Sequence, residues 1–217
     1  MAKPLLQLAL DQLDTESALR SLDGLAPHVD IIEAGTLLCC SAGMDAVRRI
    51  RARYPRHIMV VDLKTADAGT EMANMAFDAG ADWMTVICAA PLATLEAAHR
   101  VAQRHDGEIQ VELFGHWTLE QAREWRALGV RQAIYHRGRD AAAKGQGWGE
   151  DDLRRLRELA AIGIEPSVTG GLSAADLPLF AGIPVRAFIA GRALYGAPDP
   201  VAAAAAFHAA IDAGWGK

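Results

Sequence analysis

Ile58-Met59-Val60-Val61-Asp62-Leu63-Lys64-Thr65-Ala66-Asp67-Ala68-Gly69 runs from a β-type apolar segment into charge and then into a helical pattern. The same unit recurs along the chain. Strand-like runs are Leu5–Asp11, Val29–Gly35, Ile58–Lys64, Trp83–Ala89, Ile109–Phe114, Gln132–Arg137, Glu165–Gly170 and Ala187–Arg192. Amphipathic stretches lie between them at Thr15–Ala26, Ala42–Tyr54, Ala68–Ala79, Leu92–His105, Leu119–Leu128, Glu150–Ala161 and Pro200–Ala213. Nearly continuous apolar strands alternating with helices predict a parallel sheet covered on its outer face. Eight such units in 217 residues, with no Pro/Ser-rich linker, predict a single (β/α)8 (TIM) barrel domain over residues 1–217. A doubly wound open sheet is the competing fold, but no glycine-rich dinucleotide turn follows the first strand.

Punctuation agrees with this frame. Gly80, Gly107, Gly129 and Gly163 stand where helices must stop. Thr118, with Gln121 three residues later, predicts a capping box, and Ser173 precedes the seventh helix.

Composition excludes several classes of function. Apolar residues at 51% supply a core, and a net charge of −5 offers no general attraction to nucleic acid or anionic lipid. Any anionic substrate must then meet a local positive cluster. Cys39, Cys40 and Cys88 have neither metal-ligand nor disulfide spacing and read as buried small residues of a reducing compartment. The apolar run Leu5–Leu10 ends at Asp11, too short for a signal segment, and no run approaches the roughly 18 residues of a membrane span. The expectation is a soluble, cytoplasmic protein.

In a (β/α)8 barrel, side chains at the C-terminal strand ends converge on one mouth. Here those ends read Asp11, Glu33, Asp62 with Lys64, Glu112, His136, Thr169-Gly170-Gly171 and Gly191-Arg192. An isolated charge would be an ordinary solvated strand end. Ionisable groups on six of eight strands instead predict a shared cavity where they pair with each other or with a metal. Asp62 and Lys64 are two apart, so they share a face, and Asp67 opens the next helix. Carboxylates beside it would keep Lys64 charged next to developing negative charge. Glu33 and Asp62, on neighbouring strands, suit a shared Mg²⁺, although pairing of Glu33 with Lys64 is equally open. Gly170, Gly171 and Gly191 let backbone N–H groups approach a phosphate, and Arg192 adds a cationic clamp. His136 is at a barrel mouth, where a histidine can move protons. The remaining six histidines (His28, His57, His99, His105, His116 and His208) read as solvated or capping groups, and Trp83, Trp117 and Trp125 as packing.

Asp62–Gly69 resembles the Asp-x-Lys-x-x-Asp signature of the orotidine 5′-monophosphate decarboxylase suprafamily. Within it, Leu6–Asp11, Asp30–Thr36, Tyr135–Asp140, Asp176–Phe180 and Phe188–Arg192 are similar to the 3-keto-L-gulonate 6-phosphate decarboxylase group, as are Thr85–Cys88 and Glu112–Thr118. The resemblance covers nearly the whole chain, with its motifs in barrel order. It implies a carboxy-lyase of carbohydrate metabolism (L-ascorbate degradation) that takes a phosphorylated sugar acid to L-xylulose 5-phosphate and CO2 through an enediolate. Implied with it are Mg²⁺ on Glu33 and Asp62, and a homodimer in which Asp67 reaches the partner's site.

The resemblance also implies substrate contacts from Asp11, Lys64 in the charged network and Glu112 orienting Lys64 or a substrate hydroxyl. Protonation would pass through His136 or water at Arg139, and phosphate would be held by Thr169, Gly170, Gly171, Gly191 and Arg192. The loop Lys144-Gly145-Gln146-Gly147 departs from that group in being more polar and glycine-rich. Rival readings are a 3-hexulose-6-phosphate synthase and a non-catalytic sugar-phosphate-binding barrel.

Overall fold

Apolar runs of four to eight residues form eight parallel strands, β1 (Leu5–Leu10), β2 (Ile31–Ala34), β3 (Ile58–Thr65), β4 (Trp83–Ile87), β5 (Glu108–Leu113), β6 (Gln132–His136), β7 (Glu165–Thr169) and β8 (Ala187–Ala190). They pair in sequence order, and β8 pairs back with β1 to close the barrel. The computed structural model describes residues 2–138, 145 and 147–216. Helices α1 (Thr15–Leu25), α2 (Thr36–Arg53), α3 (Gly69–Asp78), α4 (Leu92–Arg104), α5 (Leu119–Ala127), α6 (Glu150–Ala161), α7 (Arg192–Tyr195) and α8 (Pro200–Trp215) surround it. The expected (β/α)8 barrel is the observed fold.

Two apolar clusters divide the core. The larger joins one face of the strands (Leu6, Leu8, Leu10, Ile32, Val61, Met84, Val111) to the helices, including Trp125 and Phe207. The smaller is made of strand residues alone: Ile31, Val60, Trp83 and Ala187, flanked by Leu5 and Ile58. These lie near the N-terminal strand ends and fill that end of the barrel. Further along the strands, Gln7, Thr85, Gln110 and Ser167 are fully buried, as is Gln132 at the start of β6. Gln110 donates to Gln132 at 2.8 Å, so these amides meet one another across adjacent strands. The barrel interior thus changes along its length from apolar to hydrogen-bonding to ionisable.

Most helix signals hold. Thr118 and Gln121 form the reciprocal capping box, and Gly80, Gly129 and Gly163 adopt the left-handed backbone that ends a helix. Gly107 does not; Asp106 takes the positive φ there. A Cβ at Gly107 would lie 2.4 Å from the Phe77 ring and 2.7 Å from the Asp82 carbonyl oxygen, so this glycine serves close packing.

Other boundaries shift. Helix α2 begins at Thr36, six residues before the expected Ala42, and is broken at Gly43 (φ +64°). The segment after Ser173 is a 3-10 helix, Ala174–Phe180, interrupted by Pro178. A short helical turn, α7, stands between β8 and the expected last helix, α8. Cys39 and Cys88 are buried as expected, whereas Cys40 is exposed on the outer side of α2. Trp83, Trp117 and Trp125 are buried. Among the described residues, no helix is long and apolar enough to cross a membrane.

Gly69 shows how helix packing sets the site. A Cβ there would lie 2.3 Å from the Thr94 carbonyl oxygen, so α3 approaches the start of α4 by virtue of the missing side chain. This contact fixes the turn that carries Asp67. Gly69→Ala should lower stability by about 1–3 kcal/mol through overpacking, seen as a lower urea midpoint at unchanged m-value. An unchanged midpoint would mean that the two helices separate without cost.

Candidate active site

The third strand supplies the centre of the site. Asp62 and Lys64 project to the same side, and the Lys64 ammonium donates to Asp62 Oδ2 at 2.5 Å. Lys64 Nζ also donates to Thr36 Oγ1 at 2.8 Å and stands 3.1 Å from Glu112 Oε1 at the end of β5. The Phe114 ring lies beneath it, 5.4 Å from Nζ to centroid. Thr36 completes a triangle by donating its hydroxyl to Asp62 Oδ2. On the far side, His136 Nδ1 lies 2.6 Å from Glu112 Oε1. Carboxylates on β3 and β5, the lysine of β3 and the imidazole of β6 therefore form one network.

Glu33 stands on β2, beside β3, and accepts from Gln7 Nε2 at 2.5 Å. Glu33 and Asp62 are each 6% exposed and Glu112 is 2% exposed, so all three carboxyls are largely removed from water. Their proton affinities diverge. Burial, and next the charge of Asp62, hold Glu33 well above the usual carboxylate range, against the Gln7 hydrogen bond. Glu112 is pushed up to about 8 by burial and then by Asp62, with Lys64 opposing. Asp62 goes the other way: burial works to raise it, but the charge and hydrogen bond of Lys64, with Thr36 and Thr85, hold it below its ordinary value. Burial likewise works against the Lys64 ammonium, and Asp62 followed by Glu112 reverses this and raises it. Lys64 is therefore a fixed cation. The same desolvation, with the neighbouring Asp62, pushes the Cys39 thiol up to about 12, which makes it an inert packing group.

Beyond β7, Gly170 (φ +115°) and Gly171 (φ +62°) occupy backbone conformations that side chains rarely adopt. A Cβ on Gly170 would lie 2.1 Å from the Arg137 carbonyl oxygen. Arg137 is a residue that the strand ends alone do not single out. Its guanidinium donates to the Gly170 carbonyl through Nε (3.0 Å) and Nη2 (2.7 Å) and lies over the Trp148 ring at 4.7 Å. It ties the loop base after β6 to the glycine turn after β7. Thr169 donates to the Ile189 carbonyl oxygen at 3.2 Å, joining that turn to β8, where Gly191 and the exposed Arg192 follow.

The structure brings Glu33, Asp62, Lys64, Glu112 and His136 together at the C-terminal strand ends, as their spacing predicts. Asp11 lies at the same end of β1; a Cβ on Gly35 would sit 2.5 Å from its Oδ1, so the glycine makes room for it. Asp67 is exposed on the turn before α3. Within one chain, the second carboxylate at Lys64 is Glu112. Arg139, Lys144 and Gln146 lie outside the described residues. Gln7, Thr36, Thr85 and Arg137 belong to the site although the sequence reading does not assign them to it. All four fall inside family-like motifs, and Gln7 is in addition an amide in an otherwise apolar strand.

The raised carboxyl of Glu112 has a definite consequence for stability. Its folded-state value of about 8 exceeds the ordinary 4.5, so the folded protein holds this proton more tightly than the unfolded chain. The resulting stabilisation is complete below the ordinary value and is lost as pH rises toward the folded one. Metal-free protein should therefore have a lower urea midpoint near pH 8 than near pH 5, and Glu112→Gln should flatten that decline. An identical slope in the variant would remove Glu112 as its source.

Comparison with known proteins places this geometry in context. Residues 4–207 match the Orotidine 5′-phosphate decarboxylase / HUMPS family. The chain is 60% identical over 216 residues to the 3-keto-L-gulonate-6-phosphate decarboxylase SgbH of Escherichia coli (strain K12), covering 100% of this chain and 98% of that protein. The crystal structure of a 3-keto-L-gulonate-6-phosphate decarboxylase from Vibrio cholerae aligns with a TM-score of 0.94 at 48% identity, covering 99% of this chain and 100% of that one. The KGPDC from Streptococcus mutans, in a crystal structure of a complex, aligns at 0.96 and 43%, with the same coverage. A 3-hexulose-6-phosphate synthase aligns at 0.89 and 37%, covering 95% of this chain and 99% of that one. The chain belongs to the Orotidine 5′-phosphate decarboxylase / HUMPS family.

Proposed function

We propose that this chain, acting as one catalytic domain in the cytoplasm, is a Mg²⁺-dependent decarboxylase that converts 3-keto-L-gulonate 6-phosphate to L-xylulose 5-phosphate and CO2. The observation that carries the reading is a half-buried ammonium held by the buried Asp62 and Glu112 within a barrel whose relative at 60% identity bears that activity in its name. The substrate is a β-keto acid. Departure of CO2 leaves an electron pair that moves onto the C3 carbonyl, giving an enediolate. Lys64 places permanent positive charge beside that oxygen, and its environment holds the charge in place before the reaction begins.

The donor set fits a hard divalent cation. Glu33 and Asp62 offer carboxylate oxygens on adjacent strands, and the charge of Asp62 is one reason that Glu33 holds its proton. Among the described residues, no group of three or more His, Cys, Asp or Glu forms a cage, and Mg²⁺ usually takes one or two carboxylates with water and substrate oxygens. Glu33 and Asp62 would hold it, and the ion would supply Lewis-acid stabilisation of charge on the substrate oxygens.

The other residues anchor the substrate and move its proton. Backbone N–H groups at Thr169, Gly170, Gly171 and Gly191, with Arg192, hold the phosphate far from the reacting carbons. Binding energy gained there places C2 and C3 at the charged network. Asp11 accepts from substrate hydroxyls. Glu112 orients the His136 ring through Nδ1, and C2 is protonated through His136 Nε2 or water at Arg139. A homodimer would bring the partner's Asp67 to the site. Leu37, Met75 and Leu92, exposed on the consecutive helices α2, α3 and α4, support an interface on that side.

The test is CO2 release from 3-keto-L-gulonate 6-phosphate with EDTA and then with added Mg²⁺. Metal-dependent release supports the reading. Formaldehyde-dependent consumption of ribulose 5-phosphate without CO2 release would transfer the chain to the synthase branch. Lys64→Ala should lower kcat by about 10²–10³-fold, the cost of removing one preorganised charge donor, while Arg192→Ala should mainly raise KM. Equal effects on kcat in both variants would contradict this division between chemistry and anchoring.

A further inference from the structure

Strand β3 does not pair with β4 along its whole length. The ladder runs through Val60↔Trp83 and Val61↔Met84 and resumes at Thr65↔Val86. Asp62, Leu63 and Lys64 therefore bulge opposite one residue of β4, Thr85. Within the bulge Lys64 has φ +46°, a left-handed conformation unusual for a residue with a side chain. Its N–H cannot join the ladder there and donates instead to Thr85 Oγ1 at 2.9 Å. The hydroxyl proton of Thr85 goes to Asp62 Oδ1 at 2.7 Å. Thr85 is fully buried, and its backbone is engaged with β5 opposite Gln110.

We propose that Thr85 is a positioning residue for the decarboxylation, acting through the backbone of Lys64 and the carboxylate of Asp62. The inference rests on the reading under Proposed function. One hydroxyl serves as acceptor for one member of the pair and donor to the other, so both are set relative to β4. Without that hydroxyl the Lys64 N–H would lose its acceptor, and the left-handed turn of the bulge would lose this tie to β4. With Oδ1 of Asp62 committed to Thr85, Oδ2 receives the Lys64 ammonium and the Thr36 hydroxyl. Thr85 thereby selects which carboxylate oxygen meets the ammonium and from which direction.

Two substitutions separate positioning from packing. Thr85→Val keeps the shape and removes the hydroxyl; Thr85→Ser keeps the hydroxyl and removes a methyl group. Positioning predicts that Thr85→Val loses about 10–100-fold in kcat, the usual cost of a lost outer partner, with KM within about threefold of wild type. Thr85→Ser should retain kcat within about threefold. Packing alone predicts the reverse order, and that result would overturn the proposal.

Amide hydrogen exchange on metal-free, substrate-free protein reads the bond directly. The Lys64 N–H should exchange faster in Thr85→Val than in wild type and at the wild-type rate in Thr85→Ser. Equal protection in all three proteins would overturn the proposal as well. If Thr85→Val fails to fold, a folded Thr85→Ser with a kcat loss beyond tenfold is sufficient to reject it. Failure of wild-type protein to release CO2 would count against the decarboxylase reading instead, while the exchange measurement would still decide whether Thr85 holds the Lys64 backbone.

Discussion

Everything at the barrel mouth depends on holding one ammonium among buried carboxylates. A charge removed from water is costly unless partners compensate it. Lys64 meets this condition through Asp62, Glu112 and Thr36, contributed by β3, β5 and the first turn of α2. Asp62 lies two residues away on the same strand, whereas Glu112 and Thr36 come from other elements, so the full set of partners exists only once β3, β5 and α2 have packed together. The barrel brings these groups together, and their attraction offsets part of the cost of burying them. A barrel of this kind orients its charges by topology rather than by local sequence.

The interior is graded to support that centre. Ile31, Val60 and Trp83 exclude water at the N-terminal end. Gln7, Thr85 and Gln110 form a middle layer whose amides and hydroxyl bond across strands. Above it stand Glu33, Asp62, Glu112 and His136. The middle layer matters because buried carboxyl groups cannot rest directly on hydrocarbon; their oxygens need donors. Gln7 supplies one to Glu33, and Thr85 one to Asp62. The glycine turn after β7 follows a different rule. There the glycines matter for their backbones, and Arg137 holds the turn through its carbonyl oxygens.

Much of this is legible in the sequence. Parallel strands buried on their outer face read as apolar runs, and six of the eight end in an ionisable residue, so the eight units and their charged ends can be found by inspection. Boundaries are harder where tertiary contacts override local signals. Helix α2 starts on Thr36-Leu37-Leu38, an apolar stretch whose Gly35 offers no capping side chain, so nothing local announces its beginning. Gly107 sits one residue past the left-handed Asp106 and is a glycine because Phe77 approaches it. Gln7, Thr85 and Arg137 escape a sequence reading for a related reason. Their roles are defined by a residue on another strand or loop, and the register of a closed barrel is not visible in any one of its strands. The bulge in β3 is likewise a property of the β3–β4 pair.

Charge balance joins these observations. Glu33, Asp62 and Glu112 fully ionised around a single lysine would leave surplus negative charge in a region with little water. Two remedies exist: carboxyls can retain protons, or a cation can enter. The raised carboxyls of Glu33 and Glu112 show the first remedy in the metal-free protein, while Asp62, held ionised by Lys64, is excluded from it. The second remedy must therefore compete with protons chiefly at Glu33. Occupation by a divalent ion would release them, and affinity would rise with pH for that reason. The network thus separates two duties that neighbouring carboxylates of equal proton affinity could not divide: Asp62 keeps the lysine charged at all times, and Glu33 remains responsive to what binds beside it.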